Sequence, residues 1–115
     1  MYQFSYLEMA EDSGENTRAI ERKALSFSIE LLKIAMAAGP DSRAAIEALI
    51  FVRKLWTVLI EDLAKPENAL GAELRAKIIS VGLWILREVE NIRQGKSQNY
   101  RGLLDVSEII HAGLT

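Results

Sequence analysis

Few groups in this sequence have the types and spacing that could do chemistry. His111 is the only histidine, and there is no cysteine. Glu108 and His111 have the Glu-x-x-His spacing of di-iron helix bundles, but such a site needs a second pair of this kind and two further inward-facing glutamates. One histidine cannot supply the second pair, so we expect no metal site. The lack of cysteine excludes disulfide scaffolds and thiolate chemistry.

Two other patterns fail as candidates for catalysis. Gly95-Lys96-Ser97 resembles the end of a phosphate-binding loop, but Glu90 stands where that loop needs its first glycine, and the segment follows a helix rather than a strand. The acidic pairs Glu61-Asp62 and Glu88-x-Glu90 are close in sequence, yet their members point to different sides of a helix and make poor acid–base pairs. We therefore expect no catalytic residue, no cofactor and no enzymatic activity.

Composition predicts a single soluble domain over residues 1–115. Half of the residues are apolar, 26% are charged, and the net charge is −2, as in ordinary globular proteins. The basic residues are interleaved with acids, which argues against direct nucleic-acid binding: Arg18, Arg22, Lys23, Lys33, Arg53 and Lys54. No signal peptide is apparent, and the longest apolar stretch, residues 78–86, is about half of a membrane span. A cytoplasmic location without membrane contact is expected.

Helix-stopping residues at Gly39-Pro40, Lys65-Pro66 and Gly95 divide the chain. Between them, apolar residues recur at spacings of three and four, which predicts amphipathic helices. The seam of the second helix comprises Ala45, Leu49, Val52, Trp56, Leu59 and Leu63, and the third helix, from about residue 72 to 94, turns inward Leu74, Ile78, Val81, Ile85, Val89 and Ile92. The pattern predicts an all-α antiparallel bundle (residues 16–115) of three long helices plus a short C-terminal helix over about residues 100–111, preceded by an N-terminal arm (residues 1–15).

The second helix is too apolar to cover the surface of a monomer. Between residues 44 and 63, fourteen of twenty residues are apolar. A helix that is apolar almost all round must be buried on more than one side. Either the other helices surround it or a partner covers what they leave open. Ile50, Phe51 and Val58 crowd against its polar stripe and are candidates for that surplus surface.

Two residues of the third helix also suggest a contact. Trp84 falls in line with the polar stripe formed by Lys77, Ser80, Arg87, Glu88 and Asn91, and a large aromatic among polar neighbours is typical of an interface anchor. The alternative is that the arm or the fourth helix covers it within the monomer. Gly82 in mid-helix costs about 1 kcal/mol relative to Ala. It indicates the close approach of another helix, either internal or a partner's.

Aromatic residues alternate in the arm at Tyr2, Phe4 and Tyr6. A segment of this kind can lie extended in an apolar groove with alternate side chains pointing inward. The alternative is a terminus tied to the core by one or two of these aromatics.

Four segments of the sequence together resemble the bacterial flagellar family FlaF: MYQFSY at residues 1–6, AIEALIFVRKLW at 45–56, LIEDLA at 59–64 and ISVGLWI at 79–85. The similarity spans essentially the whole chain, and the block that contains Leu-Trp is distinctive. FlaF proteins are described as regulators of flagellin synthesis and as factors needed for flagellin secretion and filament assembly. They act beside a second regulator, FlbT, which is the one linked to flagellin messenger RNA. The resemblance implies a cytoplasmic flagellin-binding chaperone, with translational control following indirectly.

The residues and the resemblance lead to one hypothesis and two alternatives. We expect Trp84, with Ile50, Phe51 and Val58, to contribute to a surface for the amphipathic terminal segments of flagellin, and the arm to cover that surface when it is empty. One alternative is a regulator that acts on flagellin message, directly or through FlbT. The other is a structural homo-oligomer in which a second copy covers the surplus apolar face.

Overall fold

The computed structural model describes residues 17–113, and the predicted N-terminal arm lies outside this range. Four helices follow one another: α1 (Thr17–Ala38), α2 (Arg43–Ala64), α3 (Ala72–Arg93) and α4 (Tyr100–Gly113). No strand occurs among the described residues. The predicted all-α fold is confirmed, and α4 ends two residues later than expected.

Local hydrogen bonds fix the ends of α2 and so its direction. The Oγ of Ser42 accepts a hydrogen bond from the backbone N–H of Ala45 at 3.1 Å, which satisfies one of the free donors of the first turn. Gly39 adopts a φ of 105°, which favours glycine, and this allows the short turn between α1 and α2. At the other end, Nη1 of Arg75 from α3 donates to the carbonyl oxygens of Leu63 and Lys65, each at 3.1 Å.

The helices pack in a ring in which α2 lies between α1 and α3. α4 packs mainly on α1 and makes a smaller contact with α3, and no close backbone approach joins the diagonal pairs within residues 17–113. Neighbours on two sides explain the apolar character of α2, in which ten residues are buried: Ala45, Ala48, Leu49, Phe51, Val52, Leu55, Trp56, Val58, Leu59 and Leu63. The other helices therefore bury most of its surplus apolar surface, and the predicted seam is confirmed in full.

The inward face of α3 matches its prediction at four of its six positions, and Val81 is only partly buried against the core. Ile78, Ile85, Val89 and Ile92 are buried, but Leu74 is exposed. Leu74 lies in the first turn, and the spacing of apolar residues does not reveal how far a neighbouring helix extends.

Candidate functional site

Two of the four residues predicted to form a binding surface lie in the core. Phe51 is 1% exposed and Val58 is also buried. The ring of Phe51 meets the ring of Phe27 from α1 edge to face, with centroids 5.2 Å apart and an interplanar angle of 83°. The expectation that Phe51 and Val58 lie on the surface is therefore wrong, because α1 covers the side of α2 on which they lie.

Gly82 shows which side of α3 faces α2. A Cβ atom on Gly82 would lie 2.8 Å from Cε3 of Trp56 and 2.9 Å from Cδ1 of Ile60, so the two helices approach closely here. The approach that Gly82 indicated is therefore internal. Trp84 follows two residues later, about 200° further around the helix, and points away from α2. Trp84 and Ile50 consequently cannot form one continuous surface.

Trp84 lies on the side of α3 that turns toward α4. It is half-buried and packs against the core. One turn further, Glu88 accepts a hydrogen bond at 2.8 Å from the Oγ of Ser97, which belongs to the loop before α4. Tyr2, Phe4 and Tyr6 of the N-terminal arm, which were predicted to cover the binding surface, lie outside the described residues.

The outer side of the seam between α2 and α3 carries an apolar surface that the sequence pattern indicated only in part. We call it the α2–α3 face, and it consists of Ile46, Ile50 and Ile60 from α2 and Ile79, Leu83 and Leu86 from α3. Ile46 is 56% exposed, and Ile50 and Leu83 are each 51% exposed. Ile60 contacts the position of Gly82, and Leu83 and Leu86 follow it on the solvent side of the seam. Leu83 was missed because it stands in a continuous apolar run.

Charged groups cross this face between the apolar residues. Arg93 donates to Glu90 from Nε at 2.7 Å, and this hydrogen bond lowers the pKa of Glu90. The positive charge of Arg53 on α2 also lowers the pKa of Glu90. Arg53, Lys54 and Arg87 are exposed, and none of the three forms an ion pair within 4.0 Å among the described residues.

A pair of carboxyl groups lies near the C-terminal end of α2, where this helix meets α1. Glu21 of α1 is buried and forms a hydrogen bond with Asp62, which also accepts one from Nδ2 of Asn68 at 3.1 Å. Because Glu21 is shielded from solvent, we assign this pair a structural role. Within residues 17–113 there is no group of three or more side chains that could hold a metal ion, and His111 stands in the last turn of α4.

By its fold, this is a small all-α protein, and its described residues 17–113 form four helices packed in a ring. None of the described helices is long and apolar enough to cross a membrane. A family model described as flagellar protein FlaF matches residues 2–114. The chain therefore belongs to the FlaF family of flagellar proteins, which confirms the resemblance seen in its sequence. The comparisons with curated proteins and with solved structures each found no match.

Proposed function

We propose that this protein binds flagellin in the cytoplasm as a secretion chaperone, and that control of flagellin synthesis and filament assembly follows from this binding. FlbT is a second candidate partner. The observation that carries the proposal is the α2–α3 face, on which Ile46, Ile50 and Leu83 are each more than half exposed. Membership of a flagellar family supplies the context.

The shape of this face suits a helix. The terminal segments of flagellin are amphipathic helices in the filament and stay unpacked before assembly, so a chaperone has to cover their apolar side. Two adjacent helices with apolar residues on either side of their seam offer a groove for a third helix. The apolar residues that α2 contributes to this face span about 21 Å from Ile46 to Ile60, which is the length of about four turns of a helix.

Calorimetric titration with flagellin tests the proposal. Full-length flagellin and versions that lack either terminal segment would each be titrated into the purified protein. We expect one-to-one binding that is lost with one of the termini and that has a negative heat-capacity change, because apolar surface is buried. The absence of binding to every version would contradict the chaperone proposal.

Substitutions on the face locate the binding surface. Ile50→Ser combined with Leu83→Ser should weaken flagellin binding at least about tenfold, since it removes two central apolar contacts. Ile109→Ser is the matched control, because Ile109 of α4 is 69% exposed and lies on another helix. A similar loss of affinity in both variants would contradict the assignment to the α2–α3 face.

Trp84→Ala tests whether Trp84 contributes to the flagellin-binding surface. Lower affinity for flagellin with unchanged thermal stability would bring the α3–α4 side into the binding surface. Unchanged affinity with lower stability would limit Trp84 to a packing role. Mass measurement in solution addresses the homo-oligomer alternative, and strongly salt-dependent binding to flagellin message would favour the regulator alternative.

A further inference from the structure

We propose that the segment bound on the α2–α3 face is an amphipathic helix whose apolar stripe is flanked by acidic residues. The inference rests on the proposed function, which identifies the bound helix as a segment of flagellin. It adds the chemical features by which the face would recognise that helix. It is drawn from the exposed cations that surround the exposed apolar side chains.

Three cations lie beside the apolar centre of the face. Lys54 follows Ile50 by one turn of α2, and Arg87 follows Leu83 by one turn of α3. The positive charge of Arg53 on α2 lowers the pKa of Glu90 on α3. The apolar centre is therefore bordered by positive charge on both helices, although the net charge of the chain is −2.

Lys54 and Arg87 form no ion pair within 4.0 Å among the described residues, whereas the charge of Arg53 acts on Glu90. The other exposed cations on α2 and α3 are paired: Arg43 with Glu47, Lys77 with Glu73 and Arg93 with Glu90. Glu61, two turns beyond Lys54, is an unpaired carboxylate further along the same side of α2. Lys54 and Arg87, one turn from Ile50 and Leu83, therefore have no carboxylate within ion-pair distance in the described part of the chain.

An acidic helix satisfies both features of the face at once. Its apolar stripe would cover Ile50 and Leu83, and its flanking carboxylates would reach Lys54 and Arg87. Nucleic acid would use only the cations and would leave the aliphatic side chains exposed, and three cations are fewer than the six to ten phosphate contacts that are typical of DNA binders. Complementary charge at the rim of an interface chiefly raises specificity and the rate of association.

Two synthetic helical peptides provide the test. Both carry the same apolar stripe at positions i, i+3, i+4 and i+7, and the residues that flank it are Glu in one peptide and Lys in the other. We expect the Glu peptide to bind at least about tenfold more tightly at about 50 mM NaCl, and this preference to shrink at about 300 mM, where the screening length is less than half as long. Equal binding of the two peptides, or no binding of either, would overturn the inference.

Charge-reversal variants place the preference on the face. Lys54→Glu combined with Arg87→Glu should abolish or reverse the preference for the Glu peptide. Lys23→Glu combined with Lys96→Glu changes the net charge by the same amount at exposed positions off the face, and should keep the preference. Far-ultraviolet circular dichroism checks that both variants are folded. A preference that survives the Lys54 and Arg87 reversal would overturn the inference.

Parallel titrations separate this inference from the proposed function. Binding of the Glu peptide without binding of flagellin would contradict the chaperone proposal and support the acidic-helix inference. Flagellin binding without any preference between the peptides would support the chaperone proposal and contradict the acidic-helix inference. A single-stranded RNA of about 20 nucleotides is the third probe. RNA binding that depends on Lys54 and Arg87, with no peptide binding, would assign the cations to nucleic acid and overturn the inference.

Discussion

Glu21 is a carboxylic acid enclosed where α1 begins and α2 ends. Its side chain is 2% exposed, and Nη1 of Arg18 lies 3.3 Å from its Oε1. Burial is the main cause that raises the pKa of Glu21 from 4.5 to about 8, and the hydrogen bond and negative charge of Asp62 raise it further. The charges of Arg18 and Lys65 act in the opposite direction. The raised pKa favours the protonated form of Glu21 at neutral pH.

This environment predicts a stability that falls with rising pH. Between pH 4.5 and about 8 the folded protein keeps a proton on Glu21 that the unfolded chain has lost, so the free energy of unfolding decreases over this interval. Glu21→Gln retains a donor of similar shape without the titration. We expect this variant to flatten the pH dependence and to raise the melting temperature above pH 8 by at least about 4 °C, which corresponds to about 1 kcal/mol.

The matched control is Glu61→Gln, which alters an exposed carboxylate on α2 next to Asp62. Thermal melts of both variants and the wild type across this pH range supply the comparison. The Glu61 variant should follow the wild-type slope. If the Glu21 variant follows it as well, Glu21 is ionised in the folded protein and the account of the carboxyl pair is incorrect.

The sequence predicted the residues of the candidate site correctly only where their exposure depends on a single helix. The polar neighbours of Ile50 on α2 indicated its exposure correctly, whereas Phe51 and Val58 lie at the edge of the same stripe and are covered by α1. Leu83 stands in an apolar run and its exposure depends on the angle at which α3 meets α2. Whether a residue at the edge of a stripe is buried depends on where the neighbouring helix lies. The spacing of apolar residues within a single helix does not give that information.

The elements themselves were largely predictable because their signals are local. Gly39-Pro40 and the capping residue Ser42 end one helix and begin the next within a few residues. The seam of α2 followed from the spacing of its apolar residues, and every member is buried. The pairing of the buried Glu21 with Asp62 was not predicted, since the two residues are distant in sequence and meet only when α1 and α2 pack.

The contact between α2 and α3 depends on the absence of a side chain at Gly82. Gly82→Ala would place a Cβ atom 2.8 Å from the fully buried ring of Trp56. Helix propensity favours alanine by about 1 kcal/mol, but overpacking of a core typically costs about 1–3 kcal/mol. We expect a net loss of up to about 2 kcal/mol in the free energy of unfolding, measured by urea denaturation.

Ser80→Ala serves as the control for Gly82→Ala, because Ser80 is an exposed residue of the same helix where propensity acts without a packing cost. It should leave the stability unchanged or raise it slightly. A Gly82 variant that gains stability in the same way would mean that α3 can move away from Trp56 without cost.

At the scale of the molecule, the contacts between neighbouring helices of the ring differ in size. α2 is held by α1 on one side and α3 on the other, whereas α4 is shorter, rests mainly on α1 and makes a smaller contact with α3. Local openings in a protein follow the regions with the least buried contact. The seam between α3 and α4 is therefore the place where this bundle should open first.

Hydrogen exchange followed by mass spectrometry measures this difference. We expect backbone amides of α4 to exchange at least about tenfold faster than those in the centre of α2, which corresponds to an opening free energy lower by about 1.4 kcal/mol. Trp84, on the α4 side of α3, should be quenched by acrylamide more readily than the buried Trp56, as single-tryptophan variants would report. Equal protection of α4 and α2 would contradict the prediction, because the four helices would then unfold as one cooperative unit and Trp84 would gain access to solvent only when the whole molecule unfolds.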